Sequence, residues 1–345
     1  MTASVAQLLE ELRCPVCRGR LSENQENLST VFLDCSDCRK SYPILKGIPR
    51  MLIPSMYYAL QNEGGRASAE ASKVATARSF GYEWSHFSDM YDEWEKNFSE
   101  YMAPRDAAFF NGKRVLDAGC GGGRHTYYAS RYGARVWAVD LGDAIEVAKR
   151  NNVENEEANF AQADLYNLPF AFESFDFIYS IGVLHHLPDP EGAFRNLIRH
   201  LKPGGEIQIY LYWKPEGQPM KRALLAMVTA VRKLTTRLPH NLVHALSYPA
   251  AVAVFACLVW PYRTMKRVPG LKAPAERLPM RQYARYPFLV CVNDQFDRFS
   301  APIENRYEKA EVEAWLKRAN LENIETRPNW GWIGSGRKPM SSMDA

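Results

Sequence analysis

Three things are scarce in this 345-residue chain, and each scarcity closes off a class of protein. No apolar run reaches the ~20 residues that cross a bilayer. The most apolar stretch, Tyr248–Tyr262, is cut by Pro249 and Pro261 to eleven uninterrupted residues. Residues 1–12 lack a basic start followed by an apolar core, so no secretory signal is expected and the seven cysteines are expected to stay reduced. Acidic side chains nearly vanish from residues 214–290, where thirteen lysines and arginines face only Glu216 and Glu276. That segment carries +11 in a chain of net +4, which leaves −7 for the remainder. At 46% hydrophobic and 24% charged, the chain is expected to be globular and cytoplasmic, with room for one large α/β domain and a small satellite.

What is present divides the chain into segments. Residues 10–54 hold four of the seven cysteines, and residues 55–110 become rich in aromatics, among them Phe80, Tyr82, Trp84 and Trp94. Residues 111–336 form the main domain. Strand-like runs at Val115–Leu116, Val136–Val139, Phe175–Ile181 and Ile207–Tyr212 alternate with helical patterns such as Ala193–Leu201. That alternation predicts a parallel sheet with crossover helices. Residues 214–295 break the rhythm as a helical insertion after the fifth strand. Helical spacing then returns at Val312, Trp315, Leu316 and Ala319, and Trp330–Gly336 fits a closing hairpin. The tail from Lys338 is expected to be disordered.

The cysteines are paired in sequence. Cys14-Pro-Val-Cys17 and Cys35-Ser-Asp-Cys38 stand 17 residues apart, the spacing of a structural zinc site. Each turn can aim two thiolates at one ion, and two turns complete a tetrahedron with no open position, a folding role rather than a catalytic one. Unrelated buried or redox-active cysteines are the alternative. Leu12-Arg-Cys-Pro-Val-Cys17, Tyr42-Pro-Ile44 and Gly47-Ile-Pro-Arg-Met-Leu52 resemble the zinc-ribbon family of tRNA-methyltransferase activator proteins, over roughly residues 10–54.

Val115-Leu-Asp-Ala-Gly-Cys-Gly-Gly-Gly123 reads as a strand, a glycine turn and a helix start. The glycines permit tight turning and close approach of a ligand. The spacing is Gly-x-Gly-x-Gly, Asp117 precedes it by two positions, and Val136–Val139 ends in Asp140, a carboxylate placed to accept ribose hydroxyls. Leu116-Asp-Ala-Gly-Cys-Gly-Gly-Gly-Arg124, Ala163-Asp164-Leu165, Phe175–His186 and Leu201-Lys-Pro-Gly-Gly205 resemble, in order and spacing, the motifs of class I S-adenosylmethionine-dependent methyltransferases. The pattern is most similar to the small-molecule enzymes of ubiquinone and menaquinone biosynthesis. The resemblance implies a Rossmann-like, seven-stranded sheet. It also implies that Asp117, Gly119, Gly121, Gly123, Asp140, Leu141, Asp164, Leu165 and Ile181 serve the cofactor, with Gly182 beside them. Asp140 would then hold the ribose and Asp164 would face the adenine amine.

Methyl transfer from a sulfonium is an in-line displacement, so alignment supplies most of what the protein must give. His185 and His186, after the fourth strand, are placed to act as base or to orient the acceptor, or else to pack structurally. Tyr82 and Trp84 belong to a segment that in similar enzymes folds over the cofactor. In the insertion, Leu224, Met227, Val228, Val231, Leu234 and Leu238 fall on one helical face with basic residues around it. As an acceptor lid, such a helix suits a lipid-like acceptor and peripheral contact with an anionic membrane, or else is simply a helical lid with a solvated basic face. The other readings are a non-catalytic partner or scaffold, against which the intact cofactor motifs argue, and RNA methylation, with ribbon and insertion gripping phosphates. The fourth strand, however, lacks the Asn/Asp-Pro-Pro-Tyr pattern of amino-methylating nucleic-acid enzymes. Asp297, Arg298 and Arg306, near the last helix, are polar candidates for holding the acceptor.

Overall fold

The computed structural model describes residues 4–27, 30–61, 69–215, 217 and 219–340. Glu216 and the side chains of Lys221 and Leu224 lie outside that set.

The strands are β1 (Leu21–Asn27), β2 (Thr30–Cys35), β3 (Ser41–Leu45), β4 (Ile48–Met51), β5 (Arg114–Ala118), β6 (Arg135–Asp140), β7 (Ala158–Ala163), β8 (Phe175–Ile181), β9 (Leu201–Leu211), β10 (Glu322–Pro328) and β11 (Trp332–Arg337). They form one sheet in the order β1-β2-β3-β4-β7-β6-β5-β8-β9-β11-β10. The principal helices are α1 (Ala69–His86), α2 (Arg124–Arg131), α3 (Ala144–Asn151), α4 (Pro190–His200), α5 (Pro219–Thr235), α6 (His240–Met265), α7 (Phe288–Ser300) and α8 (Lys309–Arg318).

Strands β7-β6-β5-β8-β9 run parallel, and β11 returns antiparallel to β9, pairing Ile333 with Tyr210. Helices cover both faces of the parallel strands, so most of their residues are buried. Val136–Val139 is at most 1% exposed as a result. Order reverses between β5 and β8: the chain runs outward through β6 and β7, then returns to the other side of β5. Above that point the strand ends splay apart and leave a crevice for ligands.

Four corrections follow. The sheet has eleven strands rather than seven, because the cysteine-bearing segment is annexed to it. Its strand β4 pairs parallel with β7, Arg50 with Gln162 and Met51 with Ala163. Leu8, Leu12, Leu33, Tyr42 and Met51 share one hydrophobic cluster with Leu116, Trp137 and Phe170. That continuity extends the ladder past its expected edge.

Second, the helical run around Tyr248–Tyr262 is not limited to eleven residues; α6 continues through both prolines for 26. Pro261 follows a π-helical turn, Phe255–Val259, where the i→i−4 ladder is already interrupted.

Third, Lys338 is tied down. Its backbone N–H donates to the Gly205 carbonyl at 2.8 Å and its Nζ to Glu173 at 2.9 Å.

Fourth, small residues in β11 serve packing as well as turning. A Cβ on Gly334 would lie 2.8 Å from Val312 Cγ1, so glycine there lets α8 sit close.

Candidate active site

A cavity of about 860 Å³, counted with its mouth, opens above the β5–β8 switch point. Its floor is the turn after β5. Gly119 and Gly121 adopt φ of +89° and +52°, a region that L side chains rarely enter. The space is also taken: a Cβ on Gly119 would sit 2.5 Å from Val183, and one on Gly121 2.6 Å from Trp84.

Two carboxylates mark the cavity's extent. Asp140, at the end of β6, accepts hydrogen bonds from the Gly121 N–H (3.0 Å) and the Gly142 N–H (2.9 Å), and burial raises its pKa. Asp164, after β7, accepts the Lys73 ammonium of α1 at 2.6 Å. Leu141, Leu165, Ile181 and Gly182 line the walls.

Asp117 and Gly123 do not line the cavity. Asp117 lies beneath the turn, accepting from Thr126 Oγ1 (2.6 Å) and Tyr179 Oη (3.0 Å), and burial pushes its carboxyl up to about 7. It clamps the loop onto α2 and β8. Gly123 caps α2 at φ +78°, and a Cβ there would strike Ala148 of α3. Both shape the turn from outside.

The two histidines separate sharply. His186 lines the cavity, with its edge against Phe80 at 4.9 Å between centroids. Its Nδ1 lies 2.6 Å from the Ile303 carbonyl, which can only accept, so Nδ1 carries the proton and Nε2 keeps a lone pair in the neutral ring. Burial holds its pKa below the usual imidazole range, which favours that neutral form. His185 is buried away from the cavity, its ring 3.9 Å from that of Tyr212, and burial depresses its pKa much further.

Helix α1 roofs the cavity with Lys73, Thr76, Ala77, Phe80 and Trp84, one face of a helix at i, i+3, i+4, i+7 and i+11. Trp84 lies over Gly121 and Gly122 as expected of the covering segment. Tyr82 does not: it turns outward to stack on His86 and Phe296. The helical period around Trp84 was the signal for Lys73, Thr76 and Phe80. Arg124, the first residue of α2, also reaches the cavity and lies over the Trp84 and Trp94 rings at 5.4 and 4.5 Å. Asp297, Arg298 and Arg306 lie outside the cavity wall: Asp297 accepts from Tyr212 Oη (2.9 Å), Arg298 donates to Gln295 (3.2 Å), and Arg306 pairs with Glu304 (2.6 Å).

A second cluster lies at the far side of the sheet. The sulfurs of Cys14, Cys17, Cys35 and Cys38 all fall within 4.8 Å of one another, with Tyr42 Oη 3.1 Å from the Cys14 sulfur. Four converging soft ligands fit a tetrahedral cation of the zinc type.

A model of the methyltransferase domain family matches residues 116–209, from β5 into β9. In this stretch the chain is similar to that domain. Ubiquinone biosynthesis O-methyltransferase of Coxiella burnetii is 34% identical over 98 residues, 28% of this chain and 42% of its own. The enzyme of that name from Pseudomonas fluorescens is 34% identical over 139 residues, 38% of this chain and 56% of its own. Phosphoethanolamine N-methyltransferase 1 of Triticum aestivum is 38% identical over 114 residues, 31% of this chain and 22% of its own. The chain therefore spans about half the length of the bacterial relatives. Human N-acetylserotonin methyltransferase bound to S-adenosylmethionine is 14% identical in structural comparison, covering 83% of this chain and 66% of that one at a TM-score of 0.46, too loose a likeness to bear on the site. Two of these relatives are named for oxygen and one for nitrogen methylation, so likeness within the methyltransferase domain does not fix the atom that receives the methyl.

Proposed function

We propose that the protein transfers a methyl group from S-adenosylmethionine to a small-molecule, lipid-like acceptor at the margin of an anionic membrane. The observation that carries this reading is the cavity at the switch point, with the left-handed Gly119–Gly121 turn as its floor and Asp140 and Asp164 within it. Two acids and a glycine turn bordering one cavity suit a nucleoside carrying an amino-acid tail. Asp140 would take the ribose hydroxyls, Asp164 the adenine amine once Lys73 yields, and the glycine turn the methionine part.

When bound, the cofactor supplies an already activated methyl carbon. This chain's own residues then have three tasks. The roof of Phe80 and Trp84 excludes water. The walls hold donor and acceptor in line, an effect worth roughly 7–11 kcal/mol when alignment is good. The third task falls to His186, whose unprotonated Nε2 can take the acceptor's proton where the acceptor is a hydroxyl of high pKa. His185 has no such access.

Zinc held by Cys14, Cys17, Cys35 and Cys38 belongs to the same proposal, as a structural ion with no step in the chemistry. The test is equilibrium binding of S-adenosylmethionine, followed by turnover of the methyl-labelled cofactor against a lipid extract. Saturable binding, and label that moves into the organic phase and falls by at least about tenfold in His186→Ala, is expected. A protein that binds no cofactor, or labels only aqueous RNA, would overturn the reading.

A further inference from the structure

The insertion leaves apolar faces on two helices that the other described residues do not cover. On α5, Met227, Val231 and Leu234 are 46–65% exposed and spaced i, i+4, i+7, one face of the helix. On α6, Leu242, Leu246, Val252 and Trp260 are 44–56% exposed. From His240 to Tyr262 the helix contains no Lys, Arg, Asp or Glu. Basic residues bracket it instead, Lys233 and Arg237 before, Arg263, Lys266 and Arg267 after, all of them exposed.

The opposite face of α6 explains how it must lie. Val243, Ser247, Ala251, Phe255, Val259 and Tyr262 are each at most 8% exposed and follow one another along the whole helix. A strict four-residue repeat drifts by about 40° per step on a 3.6-residue helix and would leave the contact after two or three steps. The π-helical turn Phe255–Val259 inserts the extra residue that resets it, so one face stays against the protein, principally α7, from end to end. A helix crossing the membrane alone would be ringed by lipid at mid-depth. This one, although long and apolar enough to cross, keeps a protein-facing stripe throughout. Helix α5 is held in place as well, because buried Arg232 pairs with Glu304 and donates to the Ala301 carbonyl at 2.8 Å.

We infer that the protein docks flat on an anionic lipid surface, laying the outward faces of α5 and α6 along the headgroup boundary with the flanking basic residues on the phosphates. Such placement uses both features at once: apolar burial at the interface and attraction of cations to anionic headgroups. RNA would satisfy the charge but leave Leu242, Leu246, Val252 and Trp260 with nothing to contact. The inference rests on the lipid-like acceptor proposed above, and it names the partner from which that acceptor would be drawn.

The experiment is flotation of the full-length protein with vesicles of phosphatidylcholine alone and of phosphatidylcholine containing about one-third phosphatidylglycerol, with cofactor binding measured on the same samples. At least about tenfold more protein should float with the anionic vesicles, and raising the salt to about 0.5 M should cut this several-fold, because screening shortens the reach of the basic residues. Leu242→Glu with Leu246→Glu, and separately Arg237→Glu with Arg267→Glu, should each lower flotation about tenfold while keeping the wild-type melting temperature and cofactor affinity. No flotation with anionic vesicles, unchanged flotation of both variants, binding of an RNA oligonucleotide in place of vesicles, or a stable dimer by sedimentation that the leucine variant dissolves would each overturn the docking. Loss of cofactor binding with flotation intact would instead overturn the methyl-transfer reading and leave the docking standing.

Discussion

The parallel half of the sheet and the insertion that follows β9 are both rich in aliphatic residues, yet they dispose of them in opposite ways. In β5, β6 and β8, side chains such as Val115, Leu116, Val136 and Ile178 are wholly buried, and the buried carboxyl of Asp117 has two hydroxyl donors. That region is complete in itself, and its function lies in a cavity. The insertion buries one stripe of α6 and leaves the rest in solvent, so its function lies on a surface. The same composition therefore yields a container in one place and a contact face in the other, according to whether the apolar period closes on a partner within the chain.

The largest effect expected is at the cysteine cluster. With zinc bound as proposed, Cys14→Ser with Cys17→Ser, or prolonged chelation, would remove two or all of the bonds that hold a segment with little core of its own. Thermal unfolding should then show a loss of several kcal/mol. An unchanged melting temperature would detach the metal from the fold. Next, Phe255→Ala empties a buried site of α6 and should cost about 3–5 kcal/mol in denaturant unfolding. A cost below about 1 kcal/mol would mean that the inner stripe is not a packed face, and the contrast between the two regions would fail.

A pH profile sharpens the other side. Folding raises Asp117 from the usual ~3.9 to about 7 and so favours its neutral form. Its contribution to stability is full below pH ~4 and is lost as pH rises through about 7. Asp117→Asn, which keeps an acceptor oxygen for Thr126 and Tyr179, should flatten that decline by on the order of a few kcal/mol. A profile as steep as that of the native protein would assign the titration elsewhere.

Gly119→Ala places a methyl against Val183 at φ +89°, and S-adenosylmethionine affinity should fall at least about tenfold, roughly 1.4 kcal/mol. Calorimetric titration checks this. The smallest effect is the most telling for the comparison. Leu246→Ser, about half exposed, should move stability by no more than about 0.5 kcal/mol, against several for Phe255→Ala on the same helix.

Much of the parallel sheet was legible in the sequence because its signals are local. A strand, a glycine turn and a carboxylate at the next strand end are contiguous, and Gly119, Gly121, Asp140 and Asp164, picked out by their motifs, all border one cavity. What was hidden depends on contacts between distant segments. Nothing near Gly47–Leu52 announces that β4 will pair with β7, more than a hundred residues on, since ladder partners leave no mark in either strand alone. Lys73 is one lysine among many until α1 folds over β7. His185 and His186 are neighbours of identical chemistry, and only the path of the chain after β8 sends one ring to the cavity and the other beneath it. The prolines of α6 misled for a different reason. Their cost is local, and a π-turn together with packing on α7 offsets it.

The pairing of β4 with β7 has a consequence for what the N-terminal segment protects. Without β4, the buried strand Ala158–Ala163 would end the sheet with its N–H and C=O groups bare, bearing no charged side chain along its length. Such a strand is a template for the edge of another molecule. Cutting away residues 1–52 would therefore do more than discard four cysteines. It would turn an inner ladder of the sheet into a bare rim, and the truncated chain should be lost to aggregation before its chemistry can be assayed.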